Sequence, residues 1–333
     1  MNQLGIALGA GGARGLSHIG FLKSMESHGI GFRVVSGTSI GAIIGAAYAC
    51  GQLGKAEEIA RSVTPASMAE WADIDFECGL FKGDAIAAIL RRLTGDMTFE
   101  ELRERGISLT VLACDLNTGE PVWLNKGSVA EAVRASMSIP GIFKPVSTDN
   151  RLLVDGGLVD LVPVDAARAM GASRVVAVDV YHPKDIWMRA ADGLRLSVAG
   201  ARELRTRLRE LVVDGRQGPI RSFLSKVVQN GRKQHRESGQ PDARQKWTTL
   251  TSLFRAMDVM NSWLAIESQE VVHRIEESSD VLVRPAVKRF HGHQFYWAAR
   301  LIELGEIAAE QSAPAILRLV EELRPESTHR GQD

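Results

Sequence analysis

The fold is indicated first by one stretch of sequence, Val34-Val35-Ser36-Gly37-Thr38-Ser39-Ile40-Gly41-Ala42. An apolar run leads into Gly37-Thr38-Ser39-Ile40-Gly41, and a helical pattern of small residues follows it. This G-x-S-x-G pattern is typical of a sharp strand-to-helix turn that presents a nucleophilic serine at its tip. Glycine suits Gly37 and Gly41 because such a turn leaves no room for side chains beside the serine. The five residues alone fit a glycine-rich turn without chemistry equally well, so the decision rests on their context.

A second glycine turn lies upstream. The apolar run from Leu4 to Leu8 predicts a buried strand, and Gly9-Ala10-Gly11-Gly12-Ala13-Arg14-Gly15 separates it from a helix over about 16–28. Backbone N–H groups in such a loop can converge on a phosphate or an oxyanion. A dinucleotide fingerprint does not fit, because Arg14 occupies the place of its third glycine. In a parallel sheet both turns share one edge, which places this loop beside Ser39.

A carboxylate is expected at the same edge of the sheet. Leu152-Leu153-Val154 predicts a strand, and Asp155-Gly156-Gly157 follows it. A carboxylate in this bare-backbone turn can take the proton of a serine hydroxyl, although an acid that only bonds its own loop has the same pattern. Of the eight histidines only His18 is near a predicted site element, and its helical position favours a bond to neighbouring backbone.

The remaining pattern predicts alternating strands and helices. Strands are expected over about 108–114, 120–124 and 174–180, and helices over about 55–62, 84–93, 128–136, 164–170 and 247–275. A short helix is expected to start at Thr98, an ordered loop covers 136–146, and a strand with two helices is expected over about 280–323.

Four motifs resemble the patatin-like phospholipases, and the chain looks like the bacterial branch of that family. In chain order they are Gly11-Gly12-Ala13-Arg14-Gly15, Gly37-Thr38-Ser39-Ile40-Gly41, Ser138-Ile139-Pro140 with Phe143 and Pro145-Val146, and Asp155-Gly156-Gly157. The resemblance covers about residues 4–181 well and about 280–323 more weakly. One departure is Ala10, which stands where many members have a further glycine and which keeps its backbone N–H.

The resemblance implies a three-layer α/β/α fold with a mainly parallel central sheet and a helical insertion. It implies one hydrolase domain over residues 1–333, with a core of about 4–181 and 280–323 and an insertion over about 182–279.

The same resemblance implies the roles of the site residues. Ser39 maps to the nucleophile and Asp155 to its base, which together form a Ser–Asp dyad. The full set adds Gly11, Gly12 and Arg14 at the oxyanion hole, Gly37 and Gly41 at the elbow, and Gly156 and Gly157 in the D-G-G motif. The implied reaction is hydrolysis of phospholipid or lysophospholipid acyl esters through an acyl-serine, with no metal and no cofactor.

Charge is unevenly distributed along the chain, whose 333 residues carry a formal net charge of zero. The whole molecule is therefore not a binder of polyanions. Residues 189–255, however, hold twelve Arg and three Lys against three Asp and three Glu, an excess of nine positive charges. This segment fits a solvated face of a packed insertion, or a lid or contact with an anionic membrane. Nucleic acid is disfavoured because aromatic residues are not interleaved with the basic ones.

The sequence predicts a location, and it leaves two alternatives to the hydrolase reaction. The N-terminus lacks a basic region before its short apolar run, and no apolar run reaches 18 residues, so a cytoplasmic location is expected, with peripheral contact at the inner membrane face. An acyltransferase on the same scaffold would pass the acyl group to an acceptor other than water. A regulatory protein that keeps the fold with little turnover is the other alternative.

Overall fold

The computed structural model describes residues 3–181, except 71–73, 76–79, 82, 141 and 149, and residues 269–324. Most of the expected insertion over 182–279 lies outside these residues, and so does the whole basic segment 189–255. The proposed membrane contact through that segment therefore stays a prediction.

The described residues form ten strands: β1 (Leu4–Leu8), β2 (Val34–Thr38), β3 (Ile74–Asp75), β4 (Leu80–Phe81), β5 (Ser108–Asp115), β6 (Pro121–Leu124), β7 (Val146–Thr148), β8 (Arg151–Asp155), β9 (Arg174–Val178) and β10 (Val281–Val283). Their helices are α1 (Ser17–Ser27), α2 (Ile40–Ala49), α3 (Leu53–Ser62), α4 (Pro65–Glu70), α5 (Asp84–Thr94), α6 (Phe99–Glu104), α7 (Val129–Ser136), α8 (Val164–Ala169), α9 (Gln269–Ser278) and α10 (Ala298–Glu322). Short 3-10 turns cover Gly12–Leu16, Gly156–Leu158 and Phe295–Trp297.

The main sheet has a parallel part and an antiparallel part. Strands β10, β9, β1, β2 and β5 are parallel neighbours in that order. Leu8 at the end of β1 lies opposite both Gly37 in β2 and Val178 in β9. The glycine loop and the G-x-S-x-G turn therefore leave the sheet side by side at the carboxyl edge of the parallel strands, as the sequence predicts. Strands β6, β7 and β8 make the antiparallel part.

Strand β5 joins the two parts. Leu112 pairs with Thr38 of β2 and with Trp123 of β6 at once, so β2 and β6 lie on opposite edges of β5. Ala113 pairs with β6 and with Asp155 of β8, so β8 lies on the same edge as β2. Because β8 runs antiparallel to β5, the carboxyl ends of β2 and β8 face each other end to end.

Helices cover both faces of the sheet, because successive strand residues point to opposite sides. Ile6 and Leu8 of β1 pack into a core with residues of α1, α2 and α10, whereas Ala7 packs into a second core with residues of α8 and α9. The expected three-layer α/β/α fold is confirmed. The division into one domain with an insertion is not tested by these observations.

Most predicted strands and helices in the described ranges are confirmed, including β5, β6 and the short helix α6. The two helices expected near the C-terminus are wrong, since α10 is one helix of 25 residues with Pro314 inside it. Ala313 and Ile316 on either side of that proline are buried. Continuing the helix keeps both in the core, and this packing outweighs the usual cost of an internal proline.

Strand β7 and the pair β3–β4 were not predicted, because each is only two or three residues long and depends on its partner for hydrogen bonds. Within the described ranges, none of the helices is long and apolar enough to cross a membrane.

The tight contact at Gly41 gives a test of the fold. A Cβ atom there would overlap the backbone carbonyl of Leu8 at the end of β1. We expect Gly41→Ala to lower the free energy of unfolding by about 1–3 kcal/mol, the usual range for overpacking. Gly54→Ala in α3 is the control, because nothing lies within 4 Å of a Cβ there. Chemical denaturation measures both, and a Gly41→Ala variant as stable as the control would contradict the contact.

Candidate active site

Ser39 stands at the junction of β2 and α2 in a strained backbone conformation. Its φ is 56° and its ψ is −118°, outside the regions that ordinary residues favour. The other described non-glycine residues with positive φ are Asp96 and Asn150, types that tolerate such angles locally. A strain of this kind typically costs about 1–3 kcal/mol and persists only where the surroundings enforce it. The elbow predicted from the sequence has this geometry.

The two glycines of the elbow allow its close packing. A Cβ at Gly37 would overlap the backbone of Gly41, and a Cβ at Gly41 would overlap the end of β1. The first turn of α2 is thereby pressed against the start of the glycine loop. Ser39 is 8% exposed at this point, so its hydroxyl is largely removed from bulk water.

The Ser39 hydroxyl donates a hydrogen bond to the carboxylate of Asp155, with 2.6 Å between Oγ and Oδ2. The second carboxylate oxygen, Oδ1, accepts the backbone N–H of Gly157 at 2.7 Å. Asp155 is 5% exposed. One oxygen is thus held by the D-G-G turn while the other is aimed at the serine.

Burial raises the pKa of Asp155 to about 6, although the hydrogen bonds from Ser39 and Gly157 both lower it. The carboxyl is therefore mostly ionised at neutral pH, yet it is more basic than an ordinary aspartate. A base of this kind can accept the proton of a serine hydroxyl.

The glycine loop lies beside the D-G-G turn, since a Cβ at Gly157 would be 3.5 Å from the Cβ of Ala10. Gly12 has a φ of 58°, in the left-handed region, and begins the 3-10 turn. In the described part of the chain, no acceptor is found for the N–H groups of Gly11 and Gly12. The next amide is engaged, since the Ala13 N–H donates to the Gly292 carbonyl. Two adjacent donors are therefore available beside the elbow.

Arg14 lies buried at the end of the loop. Its Nε donates to the Phe290 carbonyl at 2.8 Å, and its guanidinium lies 5.3 Å from the centre of the Tyr181 ring. These contacts brace the loop against two other segments of the chain. The sequence grouped Arg14 with the oxyanion hole, and the structure adds this bracing contact.

His18 does not contact Ser39 or Asp155 in any described hydrogen bond. Its Nε2 is 2.9 Å from the Gly9 carbonyl, so a proton on Nε2 is donated to the start of the loop. Burial lowers the pKa of His18 to about 4, with the Gly9 hydrogen bond opposing the shift. The ring is neutral at physiological pH, and the predicted bond to neighbouring backbone is confirmed.

Two serines outside the predicted set of site residues contact the dyad. The Ser136 hydroxyl accepts the Ser39 N–H at 2.9 Å, and the Ser138 carbonyl accepts the Asp155 N–H at 3.0 Å. Ser138 opens the motif with Ile139 and Pro140, and Ser136 stands two residues before it, at the end of α7. The motif signalled their importance, but no local rule showed which groups they would bind.

Among the described residues, no three His, Cys, Asp or Glu side chains are grouped so that they could hold a metal ion.

The fold and the site define a class of α/β proteins with a serine on a nucleophile elbow. Residues 6–168 match the family model of the patatin-like phospholipases, and the chain carries a domain of that family. The matched range contains the glycine loop, the elbow and the D-G-G motif.

Relatives match about half of the chain. An NTE family protein of Mycobacterium tuberculosis is 33% identical over 179 residues, which cover 54% of this chain and 49% of the relative. Human patatin-like phospholipase domain-containing protein 6 is 36% identical over 193 residues, 54% of this chain and 13% of its own. Lysophospholipase nte1 of Aspergillus fumigatus is 31% identical over 192 residues, 53% and 12%. The chain thus spans about half, or far less, of the relatives it matches.

Proposed function

We propose that the protein is a serine acyl hydrolase that acts on phospholipid or lysophospholipid esters, of the phospholipase A or lysophospholipase type. The observation that carries the proposal is the 2.6 Å hydrogen bond from Ser39 to the buried Asp155 at the elbow. The patatin-like phospholipase domain supports the lipid substrate class, and one fungal relative is named a lysophospholipase.

In the proposed reaction, Ser39 Oγ attacks the ester carbonyl carbon while its proton passes to Asp155. The carbonyl oxygen becomes an oxyanion, which the N–H groups of Gly11 and Gly12 stabilise; one such donor is typically worth about 10²–10³ in rate. The positive end of α2, whose N-terminal cap is Ser39, favours the same charge. Arg14 would support the loop and add positive charge nearby.

Collapse of the tetrahedral intermediate breaks the ester bond. The alkoxide of the lysolipid or glycerol part leaves with the proton that Asp155 holds, and the acyl group stays on Ser39. Water then gives its proton to Asp155 and attacks the acyl carbon. The fatty acid leaves, and the proton returns to Ser39 Oγ, so the dyad is restored without a metal or cofactor.

The nucleophile can be tested directly. We expect Ser39→Ala to abolish hydrolysis of short p-nitrophenyl esters and labelling by a fluorophosphonate probe, because both need the hydroxyl. Ser36→Ala is the matched control: Ser36 is also buried on β2, and its hydroxyl donates to the Pro163 carbonyl at 2.8 Å, away from the dyad.

Mass spectrometry of the products from a mixed phospholipid extract then distinguishes hydrolysis from acyl transfer. Free fatty acid with lysolipid supports hydrolysis, whereas acylated acceptors support the transferase. Turnover or labelling that survives Ser39→Ala would refute the nucleophile.

The base should appear in the pH profile. We expect kcat/KM to rise with pH through a midpoint near 6, because Asp155 must be ionised and burial raises its pKa to about 6. Asp155→Asn should lower kcat by about 10²–10⁴. His18→Gln should keep the midpoint in place, since His18 does not titrate in that range. Disappearance of the rising limb in His18→Gln would make the histidine the base instead.

The proposal includes a peripheral contact with the cytoplasmic face of a membrane through 189–255. The excess of nine positive charges there supports it, since each basic residue near an anionic leaflet is worth roughly 1 kcal/mol. A lipid substrate would lie in the same surface.

Vesicle co-sedimentation tests the contact. We expect preference for anionic over neutral vesicles, weakened by salt because exposed charges are screened over about 8 Å at physiological ionic strength. Changing Arg202, Arg205, Arg207 and Arg209 to Gln should remove the preference. Changing the exposed Arg91, Arg92, Arg151 and Arg318 to Gln removes equal charge and should not. If both variants lose the preference for anionic vesicles equally, the effect comes from total charge and not from the segment 189–255.

A further inference from the structure

One short segment contacts both members of the Ser–Asp pair from inside the protein. Ser136, the last residue of α7, accepts the Ser39 N–H through its hydroxyl at 2.9 Å. Two residues later, the Ser138 carbonyl accepts the Asp155 N–H at 3.0 Å. Ser136 and Ser138 are both completely buried. The backbone amides of the two reacting residues are therefore tied to the same three-residue segment.

We propose that Ser136 is a positioning residue: its hydroxyl fixes the backbone of Ser39 so that Oγ meets Oδ2 of Asp155. The proposal rests on the proposed function and adds a role for a side chain outside the dyad. Ser138 contributes only its backbone carbonyl, so Ser136 is the member of the segment that a side-chain substitution can test.

The strain at Ser39 explains why such a tie is needed. A serine at φ 56° and ψ −118° relaxes unless its surroundings hold it. Its N–H is buried at the start of α2, where helix geometry offers no acceptor. The Ser136 hydroxyl satisfies this donor in the strained conformation. Without this acceptor, rotation of the Ser39 amide toward another acceptor lowers the free energy of the elbow. That rotation displaces the serine Oγ.

The segment itself is firmly held. The Ser138 hydroxyl donates to the Arg134 carbonyl one helical turn back at 2.7 Å and accepts from the Arg134 side chain at 2.6 Å. The Arg134 guanidinium also lies 5.3 Å from the centre of the Phe143 ring. These contacts close the end of α7, so the position of the Ser136 hydroxyl is fixed by the helix and not by a loop.

The test compares Ser136→Ala, Ser136→Thr and Ser36→Ala on a soluble p-nitrophenyl ester. Ser136→Ala should lower kcat by about 10- to 100-fold and leave KM within about two-fold of the wild-type value. A displaced nucleophile reduces stabilisation of the transition state but does not change binding of the ground state. Ser136→Thr keeps the hydroxyl and should recover most of the loss. Ser36→Ala removes an equally buried hydroxyl from β2 and should leave kcat unchanged.

The pH profile separates positioning from simple loss of stability. The Ser39 hydrogen bond lowers the pKa of Asp155, so losing it should move the rising limb of kcat/KM to higher pH in Ser136→Ala. A lower melting temperature alone does not move that limb. Wild-type kcat and an unmoved limb in folded Ser136→Ala, or a folded Ser136→Thr as slow as Ser136→Ala, would overturn the proposal.

A third variant tests the proposal if Ser136→Ala does not fold. Ser136→Cys replaces the hydroxyl with a slightly larger thiol that is a weaker acceptor, so a lower kcat with the rising limb at higher pH supports the role, and wild-type values overturn it. Failure of the proposed function gives a different result, since Ser39→Ala would then retain turnover. An inactive Ser39→Ala with an unaffected Ser136→Ala refutes only the positioning role.

Discussion

The register of β5 is the constraint on which the site depends. Its Leu112 pairs with the last residue of β2, and its next residue, Ala113, pairs with the last residue of β8. Two chain segments separated by more than a hundred residues therefore end at adjacent positions along one edge. The distance between Ser39 and Asp155 is set by backbone hydrogen bonds in the sheet, and side-chain rotamers only complete it. A slip of one residue would separate the pair.

Close packing around this edge leaves little of the dyad exposed to bulk water. The elbow glycines let α2 press against β1, and the loop that follows β1 is braced by Arg14 and His18. Burial has an electrostatic consequence, because the carboxylate loses solvation and becomes a better base. Packing and chemistry are thus linked: the contacts that shape the turn also adjust the proton affinity of the residue beside it.

Local sequence patterns predicted the parallel strands, both glycine turns and the positions of Ser39 and Asp155 at one edge. They predicted less where structure depends on distant partners. Asp155 was expected at the carboxyl end of a strand at this edge, but the sequence did not show that this strand, β8, is antiparallel to β5 and meets β2 end to end. Two helices were expected near the C-terminus, but the buried residues on both sides of Pro314 keep α10 continuous. The Ser136 contact joins residues 97 positions apart, which no local rule reveals.

The two buried titratable groups of the site oppose each other in the pH dependence of folding. The pKa of Asp155 rises from 3.8 to about 6 on folding, so between these values unfolding releases a proton and acid stabilises the native state. The pKa of His18 falls from 6.5 to about 4, so over nearly the same range unfolding takes up a proton and acid destabilises it. Near pH 5 the proton that Asp155 releases on unfolding is almost balanced by the proton that His18 takes up. The combined contribution of these two groups to stability therefore changes little across the range in which the carboxylate itself gains its proton.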